Sequence, residues 1–158
     1  TAGVCADVDG SGTDARLSWA DLMTTDGHVI YITSNFSSAS AIRSFDPSTG
    51  DVRTVVPTVG WGCGDGLLGS GGGFGYAYGM TYYRGRIYLA NAVCDSVREI
   101  NLATREITTL VGRSGIRGVT GTVAPNAFLN GPVAIAVGVG GDGLELGETN
   151  EGFVRSIR

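Results

Sequence analysis

The sequence predicts an all-β protein built from repeated, four-stranded antiparallel sheets. Short runs rich in Val, Ile, Thr and aromatic residues end at tight turns that contain glycine. This arrangement recurs three times along the 158 residues, and recurrence at a near-constant period indicates a repeat architecture. Glycine accounts for 27 residues, well above the roughly 7% of average proteins, as a chain with many turns requires.

The middle copy, residues 79–112, shows the pattern most clearly. Its predicted strands are 80–83, 86–91, 97–101 and 106–111, and Gly85 supplies the positive φ that the first hairpin turn needs. Within the second strand, Ile87 and Leu89 alternate with Tyr88 and Ala90. Both faces are therefore partly apolar, as expected for a sheet sandwiched between two other sheets.

The flanking copies follow the same order. The predicted strands are 22–25, 28–33, 41–45 and 51–56 in the first copy, and 133–137, 144–147 and 153–157 in the third. Arg43, Arg98 and Arg155 occupy the same place in their copies, at intervals of 55 and 57 residues. We expect the third copy to comprise only these three strands within the given residues.

Several segments resemble the repeats of NHL-type β-propellers. Residues 41–50 and 96–104 are similar to the "IR-x-I-D-x-x-T-G" centre of the family repeat, and residues 55–60 and 108–112 resemble its terminal "V-T-T-L-A-G" strand. Ala127 and Phe128, followed by Gly131 and Pro132, are similar to the "A-x-F-x-x-P" start of a blade. The period is longer than the family's usual one, and Asn91 stands where the family usually has Asp.

This resemblance implies about three propeller blades within a six-bladed ring or a larger assembly. The expected boundaries are the tail of a preceding outer strand at 1–3, and blades at 4–60, 61–112 and 113–158. Propellers use roughly 4–8 blades, so we expect the other blades to come from the same parent chain or from a homo-oligomer. In an oligomer, the open edge at 153–158 would pair with a neighbour's strand, for example the one that includes 1–3.

The three repeated arginines are expected to have a structural role. A ligand clamp would require Arg43, Arg98 and Arg155 to converge on one point, whereas strand alternation lets each pair with a carboxylate or carbonyl of a neighbouring blade.

The cysteines and one sequon bear on the compartment. The sequence has Cys5, Cys63 and Cys94 without a C-x-x-C pair, which disfavours zinc. The resemblance puts the loops of Cys63 and Cys94 on one propeller face and so implies a Cys63–Cys94 disulfide, leaving Cys5 unpaired or bonded outside this chain. Loop cysteines and the glycosylation sequon at Asn35 favour an extracellular or cell-surface protein, with Asn35 in an exposed loop.

Four residues are candidate metal ligands. Asp7 and Asp9 fall at positions 1 and 3 of an EF-hand-like loop, but position 12 is Ser18 rather than Glu, so a solvated turn is the alternative. Asp21 and Asn130 lie where inner strands begin, close to the channel of a propeller. A channel metal needs several convergent oxygens. We therefore expect no cofactor, with calcium as the alternative.

The sequence contains few of the residue types and motifs that enzymes use for catalysis. His28 is the single histidine, which excludes a His₃ zinc site or a two-histidine acid–base pair within one chain, and no G-x-S-x-G elbow occurs. We expect no catalytic residues and an exposed His28. The net charge of −4 argues against a nucleic-acid partner, and no apolar run reaches the roughly 20 residues of a membrane span.

The glycine-rich stretch 69–78 is expected to connect two blades. Its aromatic residues Phe74, Tyr76 and Tyr78, together with Trp61, either pack between blades or offer a stacking surface for sugar rings or a partner protein.

Two functions follow from these observations. The first is a non-enzymatic extracellular propeller module that acts as a binding or self-assembly scaffold through its loops and open blade edges. The second is a fragment of a metal-assisted propeller hydrolase or lyase, since fold alone does not decide function.

Overall fold

A computed structural model describes residues 6–36, 39–60, 62–118, 127–150 and 152–158. The chain is all-β and forms three antiparallel sheets, which confirms the predicted fold class at that level. The described part also contains two single-turn 3₁₀ segments, Gly12–Asp14 and Val139–Gly141.

The first sheet is a meander with one added edge strand. Its spatial order is β1-β5-β4-β3-β2. The strands are β1 Gly10–Ser11, β2 Ala20–Thr25, β3 Ile30–Phe36, β4 Ala39–Asp46 and β5 Asp51–Gly60. The two-residue β1, which the sequence did not predict, pairs with the start of β5.

The second sheet repeats this topology with the order β6-β10-β9-β8-β7. The strands are β6 Gly66–Leu67, β7 Gly79–Tyr83, β8 Arg86–Asn91, β9 Ser96–Asn101 and β10 Glu106–Gly112. The short β6 pairs with the start of β10, as β1 does with β5. At the β7–β8 hairpin, Arg84 (φ 50°) and Gly85 (φ 79°) are both left-handed, as a type I′ turn requires.

The third sheet has three strands in sequential order. They are β11 Pro132–Val137, β12 Leu144–Glu148 and β13 Val154–Ile157. β13 pairs with β12 along one edge only among the described residues. The predicted strand at 1–3 lies outside the described residues.

One edge strand of each sheet, β2, β7 or β11, lies beside its counterpart in the adjacent sheet, and these three are here called the inner strands. The Tyr82 backbone N–H donates to Thr24 Oγ1 at 2.9 Å, which joins β7 to β2. A Cβ on Gly79 would lie 2.8 Å from the Val133 carbonyl oxygen, so β7 also approaches β11 closely, start to start. These contacts orient the three inner strands in the same direction.

Two apolar clusters fill the spaces between the sheets. The cluster between the first and second sheets contains Ile42, Val56 and Phe74, and that between the second and third contains Leu129 and Leu146. In β8, Ile87 and Leu89 enter the first cluster, whereas Tyr88 and Ala90 enter the second. The predicted burial of both faces of the middle sheet is confirmed.

Candidate ligand-binding face

One end of the three-sheet stack, here called the loop face, collects most of the candidate residues. It is the end at which β2, β7 and β11 begin, and antiparallel pairing brings the ends of β3, β8 and β12 there as well. The loop 92–95, residues 149–150 and 152–153, and the connector that leads into β7 therefore lie at this face. The start of β7 lies next to the start of β11, and the connector that leads into β7 reaches Asp21 at the start of β2.

Asp21 and the tyrosines of the connector form a polar and aromatic group on the loop face. The Tyr76 hydroxyl donates a hydrogen bond to the Asp21 carboxylate, which joins the second sheet's connector to the first sheet. This hydrogen bond, together with desolvation, raises the pKa of Tyr76. The Tyr76 ring meets Tyr78 edge-on at 5.2 Å, and Tyr78 is half exposed.

The other aromatic residues named from this connector and its start are not part of the exposed group on the loop face. Phe74 is fully buried in the cluster between the first two sheets, as expected for packing between blades. Trp61 lies outside the described residues. The stretch 69–78 therefore supplies both core and surface, because only its last residues reach the loop face.

Trp19 is a large exposed apolar side chain on the loop face, two residues before Asp21. Its side chain is 74% exposed, and its φ of 42° lies in the left-handed region that non-glycine residues seldom adopt. The Trp19 carbonyl accepts a hydrogen bond from the Asn35 N–H at 3.4 Å, which helps to hold this conformation. Val93 and Phe153 are also exposed at this end. A large aromatic residue beside a strand is expected in the core, so the sequence gives no indication of this exposure.

Asn130 lies at the start of the third sheet but is engaged with that sheet's own loop. Its backbone N–H donates to Glu148 Oε2 at 2.7 Å, and Asn150 Nδ2 donates to its side-chain oxygen at 2.9 Å. Asp21 is engaged with Tyr76 and Asn130 with Asn150, so the two candidate channel ligands have separate partners.

Asp7 and Asp9 neutralise a buried arginine. The Arg43 guanidinium lies 3.4 Å from Asp7 and forms an ion pair with Asp9. Thr54 Oγ1 donates to Asp9 Oδ1 at 2.8 Å. Burial would raise the pKa of Asp9, but hydrogen bonds from Thr54 and the charge of Arg43 lower it. Among the described residues, no group of three or more His, Cys, Asp or Glu side chains could hold a metal ion.

Arg98 has an equivalent environment in the second sheet. Its guanidinium donates to the carbonyls of Cys63 (2.6 Å) and Gly64 (2.7 Å) and pairs with Asp65 at 2.9 Å. Thr109 Oγ1 accepts from Arg98 at 2.7 Å and donates to Asp65 at 2.9 Å. Desolvation lowers the pKa of Arg98, and Asp65 opposes that shift. Each of the first two sheets thus contains an Arg–Thr–Asp cluster.

The partners of the repeated arginines differ from the expectation. They were predicted in a neighbouring blade, but Asp9 and Asp65 belong to the segment that precedes the arginine's own sheet. Each segment folds back over the outer strand as β1 or β6, and this brings the carboxylate to the guanidinium. Arg155 instead pairs with Glu148 of the adjacent strand at 2.7 Å. The arginines lie in separate sheets and do not converge on one point.

A disulfide links Cys63 to Cys94, the pairing that the family resemblance implies. The Cα atoms are 5.7 Å apart, and the bond closes a separation of 31 residues. It ties the segment whose carbonyls hold Arg98 to the loop between β8 and β9. Cys5 lies outside the described residues.

The Asn35 sequon is not in an exposed loop as predicted. Asn35 lies within β3 opposite Ser40, is half-buried, and accepts a hydrogen bond from the Ser40 hydroxyl at 2.8 Å. The strand continues further than expected because β3 and β4 stay paired up to Phe36. Ser37, the third residue of the sequon, lies outside the described residues.

His28 is exposed, as predicted. It lies between β2 and β3, and its backbone N–H donates a hydrogen bond to Asp26 at 2.8 Å.

None of the helical segments in the described ranges has the length and apolar character needed to cross a lipid bilayer.

Comparisons with known proteins inform the fold but not the chemistry. No protein-family model and no curated protein matches the sequence. The chain is similar to the crystal structure of a protein of unknown function from Bacteroides thetaiotaomicron, with a TM-score of 0.62 and 18% identity over 80% of this chain. The match spans 31% of that longer protein. At this identity, the likeness shows a shared fold alone.

Proposed function

We propose that the chain forms three blades of a β-propeller and serves as a non-enzymatic, extracellular module that binds glycans through its loop face. Three points support the propeller arrangement: the meander order of the sheets, the side-by-side inner strands, and the sequence resemblance to NHL repeats. A disulfide is compatible with an oxidising compartment and so supports an extracellular location.

The observation that carries the proposed ligand class is the exposure of Trp19, two residues before Asp21, and of Tyr78, whose ring contacts the Asp21 partner Tyr76. Aromatic rings offer flat apolar surface to the C–H faces of sugars, and a carboxylate accepts hydrogen bonds from sugar hydroxyls. Tyr76 holds Asp21 in place from the neighbouring sheet, so the acceptor is fixed relative to Tyr78. A fixed acceptor beside exposed rings suits a ligand with alternating apolar faces and hydroxyl groups.

The alternative, a metal-assisted hydrolase or lyase, needs convergent oxygen ligands. Asp7 and Asp9 form ion pairs with Arg43, and Asp21 accepts a hydrogen bond from Tyr76. These carboxylates therefore already have partners within the protein. This engagement favours the binding module over the enzyme.

A glycan array probed with the labelled 158-residue chain tests the proposal, followed by titration calorimetry with the best-bound oligosaccharide. We expect Trp19→Ala and Tyr78→Ala each to weaken binding by about tenfold or more, as the loss of a central aromatic contact does. Val139→Ala is the matched control, because Val139 is also exposed but lies on a turn away from the loop face.

Binding unchanged in both aromatic variants, or no glycan bound above background, would contradict the proposal. If the chain binds a protein ligand and both variants lose that binding, the loop face remains the proposed site, but the proposed ligand class is wrong. Glycan cleavage that depends on added Ca²⁺ would favour the alternative function.

A further inference from the structure

Asp21 is an acidic group of the loop face that has no basic partner in the described part of the chain. Its exposed carboxylate accepts a hydrogen bond from the Tyr76 hydroxyl. It forms no ion pair with any residue in the described ranges, whereas Asp7, Asp65 and Glu148 each pair with an arginine. The sequence contains no lysine that could compensate Asp21 instead. A negative charge is therefore available to a ligand at this point.

The Asp21–Tyr76 contact lies at the junction between the first two sheets. Asp21 belongs to β2, and Tyr76 comes from the connector that leads into β7. Strands β2 and β7 lie beside each other, and both sheets are among the described residues. The exposure of the carboxylate is therefore observed with the sheets on both sides of the contact in place.

Tyr76 connects this charge to an exposed aromatic ring. Its ring meets the Tyr78 ring edge-on with the centroids 5.2 Å apart, and Tyr78 is half exposed. The carboxylate of Asp21 and the Tyr78 ring are thus separated by at most one phenol ring and one ring contact, a span that a short oligosaccharide covers. The raised pKa of Tyr76 keeps its hydroxyl protonated at neutral pH, so Tyr76 remains a donor to Asp21.

These groups favour an ammonium over a neutral hydroxyl as the ligand group at Asp21. Water competes for an exposed carboxylate, so a neutral hydrogen bond contributes little net binding free energy. An ammonium donates a charge-assisted hydrogen bond, which is roughly twice as strong. Aromatic rings also attract cations to their faces through their quadrupole. An ammonium therefore gains from the carboxylate and from the neighbouring tyrosines, whereas a hydroxyl gains little from either.

We infer that the glycans bound at the loop face carry free amino groups, and that one ammonium pairs with Asp21 beside Tyr76 and Tyr78. This inference rests on the proposed function, which it narrows from glycans in general to amino sugars. Asp21 is the specificity-determining residue, because a hydroxyl or an N-acetyl group at the same sugar carbon brings no charge to its carboxylate. The net charge of −4 adds an attraction for any cation that does not depend on Asp21.

Three β-1,4-linked hexasaccharides that differ only in the substituent at C2 test the inference. They are cellohexaose with hydroxyl groups, chitohexaose with N-acetyl groups, and deacetylated chitohexaose with free amines. Titration calorimetry measures their binding to the 158-residue chain at a pH below the pKa of the sugar amine. We expect the free-amine hexasaccharide to bind about fivefold or more tightly than the two neutral ones, from one exposed ion pair and one cation–π contact. Added salt should reduce this preference by screening.

Asp21→Asn separates the charge of the carboxylate from its shape. The amide oxygen can still accept from Tyr76, so we expect a folded variant, checked by circular dichroism, that binds the three sugars with similar affinity. Asp142→Asn is the matched control, because it removes the same charge from an exposed carboxylate on the β11–β12 turn, at the opposite end of the sheets. It should keep the preference for the free amine. Tyr78→Ala should weaken the binding of all three sugars.

Equal affinities of the wild-type chain for the three sugars, or tighter binding of a neutral one, would overturn the amino-sugar inference and leave the proposed glycan site in place. A preference that Asp21→Asn retains would also overturn it, because the attraction would then be to the net charge. Binding of none of the three would count against the inference, and the glycan array decides separately whether the loop face binds other glycans.

Hexalysine, which carries ammonium groups without sugar rings, identifies the remaining alternative. We expect it to bind more weakly than the free-amine hexasaccharide, because it lacks the ring faces that contact Tyr78. If hexalysine bound as tightly and lost that binding in Asp21→Asn, the site would belong to a basic peptide and the amino-sugar inference would be wrong.

Discussion

Replacing Arg98 with alanine should be among the most destabilising single changes in the chain. The guanidinium is 1% exposed and donates to the carbonyls of Cys63, Gly64 and Gly73 as well as to Thr109. The substitution leaves buried acceptors without donors and an aspartate without its counter-ion. Removing one partner of a buried ion pair costs about 3–5 kcal/mol. Asp65 is half-exposed and can regain water, so we expect a loss of about 3 kcal/mol, near the lower end of that range.

Urea unfolding followed by circular dichroism measures this loss as a fall in the midpoint at unchanged slope. For a chain of this size, 3 kcal/mol also corresponds to a fall in Tm of about 6–12 °C. Arg53→Ala is the matched control, because this substitution removes the same atoms from a largely exposed ion pair with Asp51. Such exposed pairs contribute about 0–1 kcal/mol to stability. A difference of less than about 1 kcal/mol between the two variants would refute the view that Arg98 organises the connector.

Three further predictions concern the disulfide, acid stability and sheet packing. Reducing the Cys63–Cys94 bond should lower the free energy of unfolding by about 3–4 kcal/mol from loop entropy; unfolding curves that coincide with and without reductant would contradict this. Burial alone would raise the pKa of Asp26, but the hydrogen bonds that its carboxylate accepts lower it below the ordinary value. The ionised carboxylate therefore stabilises the folded chain fully above the unfolded-chain pKa of about 3.9. This stabilisation is lost as pH falls through the lower pKa of the folded chain. Asp26→Asn should therefore flatten the acid limb of a Tm-against-pH curve, and an unaltered limb would show that other groups cause it. Gly79→Ala should cost about 1–3 kcal/mol by overpacking against β11, whereas Gly62→Ala, whose added methyl meets nothing within 4 Å, should leave the urea midpoint in place; equal midpoints would argue against the close approach of β7 and β11.

The regular strands could be predicted from the sequence because their information is local. The predicted strand 86–91 coincides with β8, since its apolar alternation and the Arg84–Gly85 turn both act over a few residues. The strands β1 and β6 could not be predicted in this way. Each has two residues and includes a glycine, and each forms where a distant arginine holds the preceding aspartate.

A usable signal for those short strands was nevertheless present. Asp9 precedes Arg43 by 34 residues, and Asp65 precedes Arg98 by 33, each aspartate being followed by glycine. Nearly equal spacing between an acid and a base in two copies predicts a repeated ion pair even when its partners are far apart in sequence. The EF-hand-like spacing of Asp7 and Asp9 instead indicates a metal site, because that pattern involves neighbouring residues only and carries no information about a base 34 residues away.

The loop face was harder to predict than the strands. The sequence places Asp21 and Tyr78 at inner-strand starts, but the bond between Asp21 and Tyr76 depends on how adjacent sheets stack. The exposure of Trp19 depends on its left-handed backbone, which composition does not indicate. Asn35 likewise joined a strand because Ser40 and Trp19 engage it, although its sequon favours a loop.

The double coverage of the middle sheet has a consequence for how the chain can change over evolutionary time. Side chains on β8 touch a neighbour on either side, so a new volume there needs compensation in two places at once. The hairpin tips at Arg84 and at 103–105 are exposed, so a change of side-chain volume there needs no compensating change. Sequence drift and acquired insertions should accumulate at those tips, which makes them natural positions for grafting a foreign peptide without disturbing the rest of the molecule.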